Sequence, residues 1–172
     1  MKTPDTRHRQ PYLPTLIDRL QDDAPRRASE HPDQYAPSAA RMRDIVLRDL
    51  TLLLNTTGFA DHIDSALQPL VAASVINYGL PPMSGSYLAD HNWMRMEAAI
   101  RTAIVRFEPR LVPESLMITP LGANEGSRFN VLTFELRGLV NLSPYPLEFR
   151  VQSALDLETS KVTLLPVHSS QG

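Results

Sequence analysis

The apolar residues of this chain change their period at Pro113, and no other feature restricts the fold as much. Before that proline they recur every three to four positions, and after it they alternate. A helix gathers i, i+3, i+4 and i+7 on one face, whereas a strand gathers alternate residues, so the two halves take different secondary structure. Helical segments first and strands later predict an α+β chain: N-terminal helices packed on one face of a small, mostly antiparallel C-terminal sheet.

Ser38 is a natural N-cap for "AARMRDIVLRDLTLLLNT", with Met42, Ile45, Val46, Leu50, Leu53 and Leu54 as its apolar stripe and Gly58 as its stop. Asp44 and Arg48 are spaced as an i, i+4 pair on the polar side. A second helix is expected from about Tyr87 or Asp90 to Phe107, on Trp93, Met96, Ile100, Ala103, Ile104 and Phe107, with Glu97 and Arg101 as its i, i+4 pair. Between them, Leu67 to Ile76 is apolar and reads as a short helix or two turns, followed by a loop at "NYGLPPMSG".

In the second half, Leu116 to Thr119 reads as a short strand. Leu132, Phe134 and Leu136 alternate with Thr133, Glu135 and Arg137; Leu147, Phe149 and Val151 alternate with Glu148, Arg150 and Gln152. "KVTLLP" is a last strand, reached by a tight turn at Glu158–Ser160. Short links between strands predict an antiparallel meander.

A single domain is expected over residues 38–167, with a disordered tail at 168–172. Ahead of it, residues 1–37 read as a flexible arm. This arm holds a short amphipathic helix at about 13–22, on Leu13, Leu16, Ile17 and Leu20, and a Pro-rich linker. The prolines, 15 against 7 glycines, fall mostly between the periodic segments.

Composition removes several functions. There is no cysteine, hence no disulfide, thiolate metal site or cysteine nucleophile. The net charge of −2 gives no general attraction to nucleic acid or anionic membrane. "MKTPDTRHRQPYLPT" has no apolar run behind its basic residues, and no stretch approaches the roughly 20 apolar residues of a membrane span. A soluble cytosolic protein without membrane insertion is expected.

Motifs for chemistry are missing too. The five histidines are scattered without metal-ligand spacing, and His62 in "DHID" reads as part of a solvated turn. "SGS" at Ser84–Ser86 lacks the G-x-S-x-G pattern, and no phosphate-binding glycine loop occurs. No metal or cofactor is expected. Glu108, in "RFEPRLVPESL", is the one candidate acid. A glycosidase needs two carboxylates, one held protonated, so Glu108 would need Glu114 or Glu125 as its partner. Arg110 argues against that role, because a nearby cation favours the charged carboxylate.

Five segments in this order resemble the TssE family of type VI secretion baseplate subunits, within the lysozyme-like phage baseplate wedge proteins. They are "LPTLIDRLQDD", "VLRDLTLLLNT", "SVINYGLPPMSG", "FEPRL" and "LDLETSKV", and they extend the resemblance over most of Leu13 to Leu165. The resemblance implies a non-enzymatic piece of a contractile injection machine, joined to the wedge proteins TssF, TssG and TssK at the cytoplasmic baseplate docked to the inner-membrane complex. It further implies strands on which the first ring of sheath subunits TssB and TssC assembles. The alternative is a lysozyme-like hydrolase of peptidoglycan, which the missing export signal disfavours. Two positions depart from the family pattern. Thr51-Leu52 stands where an aromatic residue often follows Arg-Asp-Leu, and Ser160 stands where Gly is common in the last turn.

Three contact sites follow. Leu13, Leu16, Ile17 and Leu20 either dock in a partner's groove or fold back on this chain's core. Burying them yields about 6–12 kcal/mol, and ordering their segment costs about 1–2 kcal/mol per residue, so they add to a larger interface and do not hold one alone. The strands at Val162, Thr163, Leu164 and Leu165 and at Leu116–Thr119 are candidate sheet edges for pairing with the sheath. At the third site, Pro109 ends the helix at Glu108, and if the chain runs extended there, Glu108 and Arg110 lie on the same side. The Glu108-Pro109-Arg110 corner is either a brace within the chain or a contact with a partner.

Overall fold

The computed structural model describes residues 15–20, 25–26, 38–82, 93–121, 131–142, 145–156 and 158–166. Its helices are α1 (Leu16–Leu20), α2 (Ala39–Leu54), α3 (Pro69–Ala72) and α4 (Trp93–Phe107), and its strands are β1 (Met117–Pro120), β2 (Val131–Val140), β3 (Leu147–Asp156) and β4 (Lys161–Pro166). The strands form one antiparallel sheet in the order β1-β2-β3-β4. The class is α+β, with the change of element type where the period changes.

One face of the sheet carries Ile118, Phe134, Leu136, Phe149, Val151, Leu155, Val162 and Leu164, all buried. α2 and α4 cover that face with Met42, Val46, Leu50, Leu53, Met96, Ile100 and Ile104. The opposite face is polar, as alternation requires, yet Glu135 on it is only 5 % exposed. Arg137 donates to its Oε2 at 2.9 and 2.7 Å, and Arg150 donates to its Oε1. Two guanidiniums thus cover one carboxylate and hold it below the usual carboxylate range, Arg137 foremost.

Several boundaries differ from the pattern-based expectation. α2 begins as expected, with Ser38 Oγ accepting from Arg41 N–H at 3.2 Å, but it ends at Leu54 with Asn55 as its cap, not at Gly58. Gly58 closes a different contact. Its N–H donates to Leu80 C=O at 2.7 Å, while Leu80 N–H donates to Thr56 C=O at 2.8 Å. These bonds pin the base of an excursion over residues 59–76, which contains α3 and two single 3-10 turns, Ala60–His62 and Val75–Asn77. No residue of the excursion is buried. The apolar run from Leu67 to Ile76 therefore feeds no core: Leu67, Leu70, Val75 and Ile76 are exposed.

The expected start of α4 near Tyr87 or Asp90, the linker (save residues 25–26), the first 14 residues and the tail at 168–172 lie outside the described residues. The Glu97–Arg101 pair forms at 2.7 Å. Arg48 turns away from Asp44 and takes Asp18 of α1 and its own neighbour Asp49.

Candidate functional site

α4 ends at Phe107, the last residue before the Glu108-Pro109 step, as the steric clash ahead of proline demands. The next residues do not run extended but turn back, Leu111 N–H donating to Glu108 C=O at 3.2 Å, so it is the turn that brings Arg110 onto Glu108. Arg110 N–H and Nε both donate to Glu108 Oε1, at 3.2 and 2.6 Å, and Arg110 Nη2 donates to Glu108 Oε2. The same Nη2 donates to Asp49 Oδ2 at 2.6 Å. Glu108 is 3 % exposed and Arg110 9 %. Burial works against the Arg110 charge, but Glu108 and then Asp49 outweigh it and hold its pKa raised.

The main chain ties the corner to the sheet. Asn141 N–H donates to Arg110 C=O at 2.8 Å, and Val112 N–H donates to Leu139 C=O at 2.8 Å. The corner thereby joins three elements: Asp49 from α2, Glu108 from the end of α4, and the far end of β2.

The charge chain continues past Asp49. Arg48 Nε donates to Asp49 Oδ1 at 2.8 Å, and Arg48 Nη2 donates to Asp18 Oδ2 of α1 at 3.1 Å. Asp18, Arg48, Asp49, Arg110 and Glu108 thus alternate in sign across α1, α2 and the corner. Arg48 donates the strongest bond to Asp18 and brings its carboxyl down to about 2, with Thr15 adding to the effect. Beside this chain opens a cavity of about 390 Å³, lined by Thr15, Asp49, Tyr78, Phe107, Glu108 and Arg110 among others. Tyr78 and Phe107 meet edge to face at 5.2 Å. Burial, helped by the nearby Asp49 and Glu108 charges, pushes the Tyr78 phenol up.

α1 faces the opposite way from an ordinary surface helix. Leu16, Ile17 and Leu20 are 67, 74 and 74 % exposed, so they do not pack on this chain's own core. The helix is held instead by its polar side, through Asp18 to Arg48. Thr15 and Asp18 cap each other reciprocally, Thr15 N–H donating to Asp18 Oδ2 at 3.2 Å and Asp18 N–H to Thr15 Oγ1 at 3.3 Å. Leu13 lies outside the described residues.

β1 and β4 are the two edges of the sheet. In β4, Val162 and Leu164 point into the core, while Thr163 and Leu165 are exposed on the open face. β4 is on the opposite edge of the sheet from the corner, whereas β1 pairs with β2 beside the Leu111–Val140 bridge that adjoins the corner.

Pattern reading missed Asp18, Asp49 and Asn55. Asp49 left a signal: it falls three positions after Val46 and four before Leu53, on the apolar side of α2. A carboxylate there needs a buried partner. Among the described residues, no group of histidine, aspartate and glutamate could hold a metal ion, and no helix is long and apolar enough to cross a membrane.

Helices cover one face of a four-stranded antiparallel sheet, and the Glu108–Arg110 ion pair is buried at the corner that joins them. The chain belongs to the family of the baseplate wedge protein gp25, which matches residues 40–145, more than half of its length. That match takes in α2, the excursion, α4, the corner and the first two strands. No curated protein and no solved structure matches the chain.

Proposed function

We propose that this chain is a non-enzymatic structural subunit of a type VI secretion baseplate. It joins the wedge proteins TssF, TssG and TssK and helps start the sheath of TssB and TssC, in the cytoplasm beneath the inner-membrane complex. Membership of the baseplate wedge family supports the structural role. The outward apolar face of α1 carries the joining role: Leu16, Ile17 and Leu20 stand in solvent while, among the described residues, the Asp18–Arg48 ion pair holds the helix. An amphipathic helix presented this way suits a groove on another chain.

The saturation of Glu108 supports the non-enzymatic reading over the hydrolase. Both of its oxygens are held by Arg110 and the residue is 3 % exposed, so a sugar oxygen has no approach to it. The test is Leu16→Asp together with Leu20→Asp. Both side chains are already exposed, so the melting temperature stays where it is. Capture of TssF and TssG falls at least tenfold if α1 docks on them, and unchanged capture defeats the docking role.

A further inference from the structure

The two sheet edges differ in what an added strand would have to displace. On the outer side of β4, the carboxamide of Asn55 takes both backbone groups of Val162. Its Nδ2 donates to Val162 C=O at 2.8 Å, and Val162 N–H donates to its Oδ1 at 2.9 Å. A carboxamide has the same donor and acceptor as a peptide group, so Asn55 occupies the place of one peptide unit of a fifth strand. Backbone groups alternate in an antiparallel ladder. With Val162 turned outward, Leu164 and Pro166 turn outward too, and Lys161, Thr163 and Leu165 turn toward β3.

On β1, Leu121 N–H donates inward to Thr133 C=O at 2.9 Å, so Ile118 and Pro120 turn outward. Leu116 C=O is taken by Arg101 Nη1 at 2.9 Å, and Leu116 N–H by Pro113 C=O at 3.2 Å. Arg101 is itself fixed by Glu97. Pro120 and Pro166 have no N–H to offer.

An incoming strand on β4 would meet the N–H and C=O of Val162 and of Leu164, then the C=O of Pro166, after moving one neutral amide. On β1, among the described residues, it would meet the N–H and C=O of Ile118 and the C=O of Pro120, and to reach Leu116 it would have to dislodge a charged guanidinium, whose bonds are roughly twice as strong. Asn55 also leaves easily, because its Nδ2 keeps a second acceptor in Thr51 C=O at 2.8 Å. We infer that β4 is the edge where an extended segment of another chain joins this sheet by main-chain pairing, and that Asn55 is the stopper that must first swing off Val162. The inference rests on the proposed pairing with the sheath, and names the edge and the residue that controls it. With the stopper in place, β4 offers no two adjacent open positions to a second copy of this chain.

Amide hydrogen exchange at Val162, Leu164 and Ile118 tests this on the full chain, with and without the recombinant TssB–TssC sheath heterodimer. Native protein gains protection at Leu164 on binding, and Ile118 does not change. Asn55→Ala and Asn55→Gly each expose Val162 N–H to faster exchange in the free chain and bind the sheath about fivefold to tenfold tighter, since the competitor is gone. Protection at Ile118 in place of Leu164, or unchanged affinity in both variants, overturns the inference and leaves sheath pairing standing. No protection at either edge overturns both. The native exchange pattern decides the edge by itself, whatever the folding of the variants.

Discussion

Arg110 folds back on Glu108, two positions before it, and with the same nitrogen reaches Asp49, 61 positions before it. One guanidinium therefore locks the end of α4 to the middle of α2. Removing it leaves a carboxylate that is 3 % exposed without its counter-ion. Arg110→Ala is expected to cost about 3–5 kcal/mol in denaturant unfolding. Glu108→Gln with Arg110→Met, which removes both charges and keeps the volume, should recover most of that loss. Wedge assembly and sheath formation, scored beside stability for Glu108→Gln and Arg110→Ala separately, distinguish brace from contact. Lost stability marks a brace, and lost assembly at unchanged melting temperature marks a partner contact.

Gly79 closes the base of the excursion with φ of 119°, and a Cβ there would stand 2.2 Å from Thr56 O. Neither the backbone angle nor the space admits a side chain. Gly79→Ala should lose about 2–4 kcal/mol in denaturant unfolding. Gly58→Ala should lose less, because its nearest obstacle is the side-chain Oδ1 of Asn77 at 2.9 Å, which can give way.

How much was legible beforehand depended on whether a residue's partner was local. The stripe of α2, the stripe of α4, the alternation of β2 and β3 and the stop before Pro109 are all decided within a few positions, and all four stand in the fold. Arg48 shows the opposite case. Its i, i+4 neighbour Asp44 was the local choice, but Asp18 lies 30 positions away and Asp49 competes from the next residue. The Asn55 amide reaches Val162 across 107 positions, and nothing within the helix announces it. The leucines of α1 declared an amphipathic helix, yet periodicity cannot say whether the apolar side meets this chain or another. What periodicity also left out is the anchor: Asp18 holds the polar side to Arg48 while Leu16, Ile17 and Leu20 stay exposed.

That anchor is pH-dependent. The Asp18 carboxyl is lowered from 3.8 to about 2, chiefly by Arg48. Its folded value lies below its unfolded one, so the stabilisation is complete above about pH 4 and is lost as pH falls through about 2. Carbon-detected NMR should follow the Asp18 carboxyl to a midpoint near 2 in the native chain, and back toward 3.8 in Arg48→Ala. At neutral pH, high salt should loosen the pair, because the Arg48 side chain is 42 % exposed.

Ser160 holds φ of 54° in the turn between β3 and β4, where Asp156 Oδ1 accepts from the N–H groups of Glu158 and Thr159 at 2.9 and 3.0 Å. A left-handed residue with a Cβ is strained by about 1–2 kcal/mol, part of which glycine returns as lost chain entropy. Ser160→Gly should therefore raise stability by up to about 1 kcal/mol, or about 2–4 °C in melting temperature. Ser160→Val should lower it.

The excursion at residues 59–76 sets a limit of another kind. Phe59, Leu67, Leu70, Val75 and Ile76 are solvated oily groups on a segment held at its base and at Ala72, whose C=O accepts from Arg106 Nη1 at 2.6 Å. Molecules accumulating ahead of their use would meet one another through these groups and come out of solution. The concentration at which the free chain stays in solution is then set by these groups and not by its melting temperature, since none of them is buried.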